Sequence, residues 1–482
     1  MRSILNFVNN KFEEGEGDDR FDVFNPAFGA KIASVREARR GEVERAVDLA
    51  YDAQLKWQKV PISDRINHLF KLERLMWANI DKIAEVTTNE HGKTFEEAKG
   101  DAIRAIQNVQ SAAAASYHIM GRNNKQIANG IDEELIRVPI GVFAIISPFN
   151  FPVMIPFWFF PYSVTLGNSV IIKPSEKTPM SMETVMNLVK EAGYPEGVVQ
   201  MINGGKESVD FLLENKKVAG VSFVGSTPVA EYVYRKGTSN RKRAQAGASA
   251  KNYILVMPDA DLEGSIDNII GSFYGNAGER CLAGSVLVTL PENHDKVMNA
   301  FKKRATGLRL GYGMEPDTDM GPLIRREHKE RVETYIQKGE DEGGKILLDG
   351  RKATCSKYPN GFFLGPSIID GVTEGMTVMN DEIFGPVASF YTANSLDDAL
   401  DVMNRSRFGN ASSIYTSSGQ NARKFSEGIE VGNIGINVGV AAPIAFYPFS
   451  GLKESFFGDL HPQGGDDNVL FFTERKVIIS RW

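Results

Sequence analysis

Cys281, one of only two cysteines in the chain, lies in the stretch Gly275-Asn276-Ala277-Gly278-Glu279-Arg280-Cys281-Leu282. A thiolate is the nucleophilic form of cysteine, and a guanidinium beside it, Arg280, favours that charge or attracts an anionic substrate. The small residues on both sides leave room for a substrate. The same stretch also suits a buried cysteine acting as a small hydrophobe, so groups elsewhere must decide. Lys173-Pro174-Ser175-Glu176 offers an amine that can meet a phosphate or a ribose hydroxyl. Its carboxylate can accept from a ribose diol and would repel a 2′-phosphate. Gly225-Ser226-Thr227 opens a predicted helix whose free N–H groups suit a phosphate. Asn150 carries an amide that can donate to an oxyanion. Glu382, in Asp381-Glu382-Ile383-Phe384-Gly385-Pro386, can hold a ribose. No G-x-G-x-x-G fingerprint accompanies these groups, and no metal centre is expected.

The elements that position them follow from length and pattern. A chain of 482 residues exceeds one ordinary core and implies two or three domains. Hydrophobic residues make up 42% and charged residues 24%, a usual globular balance. The net charge of -6 argues against a nucleic-acid partner, which calls for a basic surface. Two cysteines, Cys281 and Cys355, cannot build a disulfide framework, so a reducing compartment, the cytoplasm, is the expected home. The N-terminal residues lack the apolar core of a signal peptide. The longest apolar stretch, Phe149 to Leu166, carries Pro152, Pro156 and Pro161 and is expected to be a buried loop and helix, not a membrane span.

Along the chain, Phe21–Phe24 and Lys31–Val35 are strand-like, with the Asn25-Pro26 turn between them. Helical periodicity begins at Gly41 and returns at Ser63–Ala78, Asp81–Glu90 and a long stretch from Thr94 to about Met120. Glu134–Val138 is strand-like. Then strands at Gly141–Ile146, Ser169–Ile172, Gly197–Ile202 and Ala219–Val224 alternate with helices at Ser181–Glu191, Glu207–Glu214 and Pro228–Lys236. That alternation marks a parallel sheet with right-handed crossovers, which binds ligands beyond the carboxyl ends of its strands. A second α/β unit is expected after Lys251, with strands at Tyr253–Val256, Ser285–Leu290, Lys345–Leu348 and Val387–Tyr391. Its helices are expected at Leu262–Ala277, Asp295–Leu308 and Leu396–Asn404. Lys476–Ser480 reads as an edge strand able to pair with another subunit.

Five motifs in this order resemble the NAD(P)-dependent aldehyde dehydrogenase superfamily over nearly the whole chain. They are Pro148-Phe149-Asn150-Phe151-Pro152, Lys173-Pro174-Ser175-Glu176, Phe223-Val224-Gly225-Ser226-Thr227, Gly278-Glu279-Arg280-Cys281 and Glu382-Ile383-Phe384-Gly385-Pro386. The resemblance implies an α/β fold with three parts. A Rossmann-type NAD domain would span 1–120 and 140–250, and a catalytic α/β domain 251–445. A small β oligomerisation element would span 121–139 and 459–482. It implies Cys281 as nucleophile, with Asn150 and the Cys281 N–H as oxyanion hole. Phe149, Lys173, Glu176, Lys177, Gly225, Ser226, Glu382 and Phe384 would bind the cofactor, with Glu176 favouring NAD over NADP. A homodimer or homotetramer is expected.

One departure narrows this. Hydrolytic members carry Glu-Leu-Gly-Gly-Lys, whose glutamate activates the deacylating water. Here the stretch is Gly247-Ala248-Ser249-Ala250-Lys251, with Gly247 in the glutamate position. Without a base, water attacks a thioester poorly and a thiol attacks better, so coenzyme A is the expected acyl acceptor. The branch resembled is the CoA-acylating methylmalonate- and malonate-semialdehyde dehydrogenases, on Ala250-Lys251-Asn252 and the tail from Ile434 to Gly458. The resemblance makes Arg104 and Arg280 the holders of the substrate carboxylate, a pairing that suits guanidinium chemistry. Acetyl-CoA or propionyl-CoA, CO2 and NADH would be the products. Ser249, Tyr253 and the slim run Leu282-Ala283-Gly284 depart from that branch. The alternatives are a hydrolytic enzyme using Glu279 or Glu382 as base, and a catalytically silent binding protein.

Overall fold

The computed structural model describes residues 2–482. Two twisted parallel sheets dominate. The first has eight strands in the order Phe456–Phe457, Arg243–Gly247, Val218–Val224, Val142–Ile146, Ser169–Lys173, Val199–Met201, Asn6–Val8 and Lys11–Glu13. Its five central strands are parallel, and its two ends are closed by antiparallel pairs. Val142–Ile146 and Ser169–Lys173 are buried along their whole length, as a sheet covered by helices on both faces requires. Each fully buried Val or Ile there contributes about 1.5–3 kcal/mol.

The second sheet has seven strands in the order Lys345–Leu348, Ser367–Asp370, Val387–Thr392, Gly284–Thr289, Asn252–Val256, Ala411–Tyr415 and Asn433–Ile436. All its pairs are parallel except the first. Its core is one cluster built from residues after 252, while the first sheet packs separate clusters on its two faces. A third sheet, Arg122–Ala128, Ile131–Pro139 and Thr473–Arg481, is antiparallel, with Thr473 opposite Pro139 and Arg481 opposite Ile131. The strand expected at Lys476–Ser480 is thus real and longer, and it forms an edge. The N-terminal strands Arg20–Asn25 and Ala30–Arg36 pair with each other and with Arg2–Ile4.

Several expectations are corrected. The long helix from Thr94 ends at Ala113 and resumes for one turn at Ala115–His118. Its start is fixed by the Thr94–Glu97 capping box. At Ala114 the backbone N–H turns to Ser111, three residues back, which tightens and breaks the helix. The helix from Leu262 stops at Tyr274, because the next residues enter left-handed backbone. Strands at Arg243–Gly247, Ser367–Asp370, Ala411–Tyr415 and Asn433–Ile436, and a helix at Arg326–Asp341, are additional. The apolar stretch after Phe149 is a loop and the helix Met154–Thr165, buried from Ile155 onward. Among the described residues no helix is long and apolar enough to cross a membrane.

Candidate active site

Cys281 stands at the end of a strained loop. After Tyr274 three successive residues, Asn276, Ala277 and Gly278, have φ of 56°, 50° and 74°. Only glycine fits at 278, where a Cβ would lie 2.2 Å from the Gly385 carbonyl oxygen. Left-handed backbone at alanine is costly and persists only when neighbours over-determine it. They do so here. The Glu279 carbonyl accepts from Asn150 Nδ2 at 3.2 Å and from Asn276 Nδ2 at 2.7 Å. The Cys281 carbonyl accepts from Asn252 Nδ2 at 2.8 Å and from Asn410 Nδ2 at 2.9 Å. Asn150 is fixed in turn by Lys93, whose Nζ donates to its side of the loop through the Asn150 backbone carbonyl at 2.6 Å. The site thus brings Asn150 to the nucleophile loop across 129 positions of sequence.

Cys281, Arg280 and Arg104 line one cavity of about 260 Å3, walled by Phe151, Trp158 and Phe449. Two acids share it but are occupied. Asp101 Oδ1 accepts from the Met154 N–H at 2.7 Å, and its other oxygen lies 3.9 Å from Lys93 Nζ. Glu97 accepts from the Asn276 N–H and lies 3.7 Å from Arg280 Nη2. Arg104 has only a neutral partner, Gln107 Oε1, at 3.1 Å. Guanidinium donors therefore remain for an anion. Burial pushes the Cys281 thiol up to about 12, outweighing the opposing pull of Arg280. The arginine alone does not activate the thiol in the free protein. A smaller cavity joins Cys281 to Glu382 and Phe384. Glu382 Oε1 accepts from the Ala250 N–H at 2.9 Å, and burial raises its carboxyl.

Behind the loop lies a cluster that sequence reasoning missed. The Glu279 carboxyl is fully buried, with His328 Nε2 at 3.4 Å and His91 Nε2 at 4.0 Å. Burial pushes Glu279 up to about 8 and His328 down to about 4, and it depresses His91 as well. All three are neutral near pH 7. The Phe149 ring stacks on His91 and meets Phe384 edge-on at 5.9 Å, with Lys177 Nζ 4.8 Å from its centroid. Phe149, Lys177 and Phe384 thus share one wall. Asn252 and Asn410 were also missed as anchors of Cys281, since a lone asparagine carries no sequence signal.

The remaining predicted residues gather at the carboxyl ends of the first sheet. Lys173 Nζ donates to the Gly204 carbonyl at 2.8 Å and lies 3.7 Å from Glu176 Oε2. Burial opposes ionisation of Glu176, but Lys173 overrides it and holds the carboxyl below its usual range. Gly225 and Ser226 precede the helix Thr227–Ser239, where Ser226 makes no side-chain cap and a Cβ at Gly225 would lie 2.5 Å from the Phe223 ring. Lys173, Glu176, Gly225 and Ser226 line neither cavity that holds Cys281. The amine and the uncapped helix start can donate to a phosphate, and the ionised carboxylate can accept from a ribose diol.

The model of the aldehyde dehydrogenase family matches residues 12–478. The chain belongs to the aldehyde dehydrogenase family. It is 44% identical over 479 residues to a malonate-semialdehyde dehydrogenase of Halalkalibacterium halodurans, covering 99% of this chain and 98% of that one. A malonate-semialdehyde dehydrogenase of Bacillus pumilus is 44% identical over 482 residues, covering 100% and 99%. The crystal structure of a methylmalonate-semialdehyde dehydrogenase from Oceanimonas doudoroffii superposes with a TM-score of 0.98 at 39% identity, covering 100% and 99%. An aldehyde dehydrogenase of Bacillus cereus in complex with NAD gives 0.94 at 28% identity, covering 100% and 97%. Gly247 pairs with Val224 on one side and Phe456 on the other. It contributes no side chain to the site.

Proposed function

We propose that this aldehyde dehydrogenase is an NAD-dependent, CoA-acylating dehydrogenase of malonate or methylmalonate semialdehyde. The observation that carries the reading is the pairing of Gly247, where a base is absent, with Cys281 in a cavity that holds two arginines. Cys281 Sγ bonds to the aldehyde carbon as the thiol proton passes to solvent, the carbonyl π bond opens towards oxygen, and the Asn150 amide donates to the oxygen that becomes negative. Lys173, Glu176, Lys177, Gly225, Ser226 and Glu382 hold NAD, with Phe149 and Phe384 packing beside it. NAD, when bound, supplies the hydride acceptor. A thioester on Cys281 remains. Arg104 and Arg280 hold the substrate carboxylate until CO2 leaves, and the enolate left behind, stabilised by the thioester carbonyl, takes a proton from solvent. The CoA thiolate then attacks the thioester carbon, the C–Sγ bond breaks and Sγ departs with the negative charge.

Glu279 is a poor alternative base, because its carboxyl is fully buried between two histidines. The eight-stranded unit is proposed as the cofactor domain and the seven-stranded unit as the catalytic one. The antiparallel sheet exposes Val477, Ile478 and Ile479 along an edge strand, which supports a homodimer or dimer of dimers. Two free cysteines and a thiol nucleophile suit a reducing cytoplasm. The test is NADH formation from malonate semialdehyde with and without CoA, with the acyl product identified. Acetyl-CoA is expected. Equal turnover without CoA, yielding the free acid, would sink the reading.

A further inference from the structure

Gln463 is nine-tenths buried, yet it is not held by the fold through its side chain. It lines the cavity shared by Cys281, Arg280 and Arg104. Its Oε1 is buried without a hydrogen-bond partner in the protein. An amide oxygen in that position costs the fold, so such a side chain is retained for something other than structure. Its backbone, by contrast, is fixed. The Gln463 carbonyl accepts from the Phe449 N–H at 3.4 Å, and the next residue, Gly464, has φ of 124° with no room for a Cβ beside the Tyr447 carbonyl.

The other end of the amide explains its place. Gln463 Nε2 lies 3.3 Å from where a Cβ on Gly247 would be, within reach of a glutamate side chain built there. A neutral amide from the far end of the chain thus stands in the corner from which a carboxylate would activate water. We propose that Gln463 sets the fate of the thioester: it fills the base's corner with a group that cannot take a proton, and so leaves the acyl group to CoA. This rests on the acylating reading above. The glutamine also makes the corner convertible. A carboxylate at 463 would take a proton from water as its oxygen bonds to the thioester carbon. The C–Sγ bond would break, and the carboxyl would return the proton to Sγ. Thioester and water become acid and thiol.

The test is CoA-independent NADH turnover and the ratio of free acid to acyl-CoA in Gln463→Glu, Gln463→Leu and Gln463→Ala. Gln463→Glu is expected to raise CoA-independent turnover about tenfold or more. Gln463→Leu is expected to keep the wild-type product ratio and to raise the melting temperature slightly, since it removes a buried amide oxygen that has no partner. Gln463→Ala, which opens the corner, is expected to gain hydrolysis in proportion to added formate, and this arm decides even if the glutamate variant does not fold. No gain with the folded glutamate variant, an equal gain with leucine, or no response to formate would overturn the proposal. Wild-type enzyme that releases free acid equally with and without CoA would overturn the acylating reading itself, before any variant is compared.

Discussion

Two acids in this molecule sit in opposite electrical settings. At the strand ends of the first sheet, Glu176 is partly open to solvent and stays ionised beside Lys173. Behind the nucleophile loop, Glu279 is sealed in with two histidines, and all three are neutral near pH 7. The difference lies in burial against a compensating charge. A region that must grip a polar ligand keeps its charges and pairs them. A region that must hold a thiol and a strained loop in place suppresses charge, and Cys281 itself follows that rule. The acids of the nucleophile's cavity, Glu97 and Asp101, are tied to backbone donors, and its arginines cannot be neutralised at any working pH.

Removing the centre of the neutral region is the harshest way to break this contrast. Cys281→Ala is expected to lower NADH formation about 10^3-fold or more, with an unchanged melting temperature. Next come the arginines of the same cavity. Arg280→Gln is expected to raise KM for malonate semialdehyde about 10–100-fold while changing KM for propanal little. An equal change for both aldehydes would refute a carboxylate contact. In the charged region, Glu176→Gln is expected to raise KM for NAD about tenfold and to narrow the preference over NADP, read from initial rates with each cofactor.

The smallest effect sharpens the contrast through pH. Glu279 is raised in the folded state, so between its ordinary value and about 8 the folded chain keeps a proton that the unfolded chain has released. That contribution to stability is full below this window and is lost as pH rises through it. The melting temperature of wild type is therefore expected to fall more between pH 5 and pH 8 than that of Glu279→Gln. Glu90 shifts the same way in both proteins and cancels from the comparison. Lys251, lowered to about 7, works in the opposite direction at higher pH and also cancels.

Strands with branched residues, such as Val142–Ile146 and Ser169–Lys173, were legible because their composition matches a doubly covered sheet. Arg243–Gly247 was not, since Arg-Ala-Gln-Ala-Gly carries no strand signal and is strand only through its neighbours. The helix Arg326–Asp341 hid for a related reason, having only Val332, Ile336 and Gly339 on its buried side. The motifs placed Cys281, Asn150, Lys173, Glu176 and Phe384 by resemblance. They did not reveal that burial would keep the thiol protonated, nor that His91 and His328 would meet Glu279. Those contacts join residues far apart in the chain, and no local pattern encodes them. Gly247 was legible as a missing side chain, but Gln463 beside it was not.

The loop that carries Cys281 has a consequence for how the molecule matures. Its left-handed turn is clamped by Asn150, Asn252 and Asn410, three points that come together only when both parallel sheets are formed and joined. Contacts of such long sequence separation close late in folding. On dilution from denaturant, helical signal should return first and catalytic competence last. Burial raises the Cys281 thiol, so the unfolded chain holds it in its more readily ionised form, and catalysis begins only once the architecture is complete.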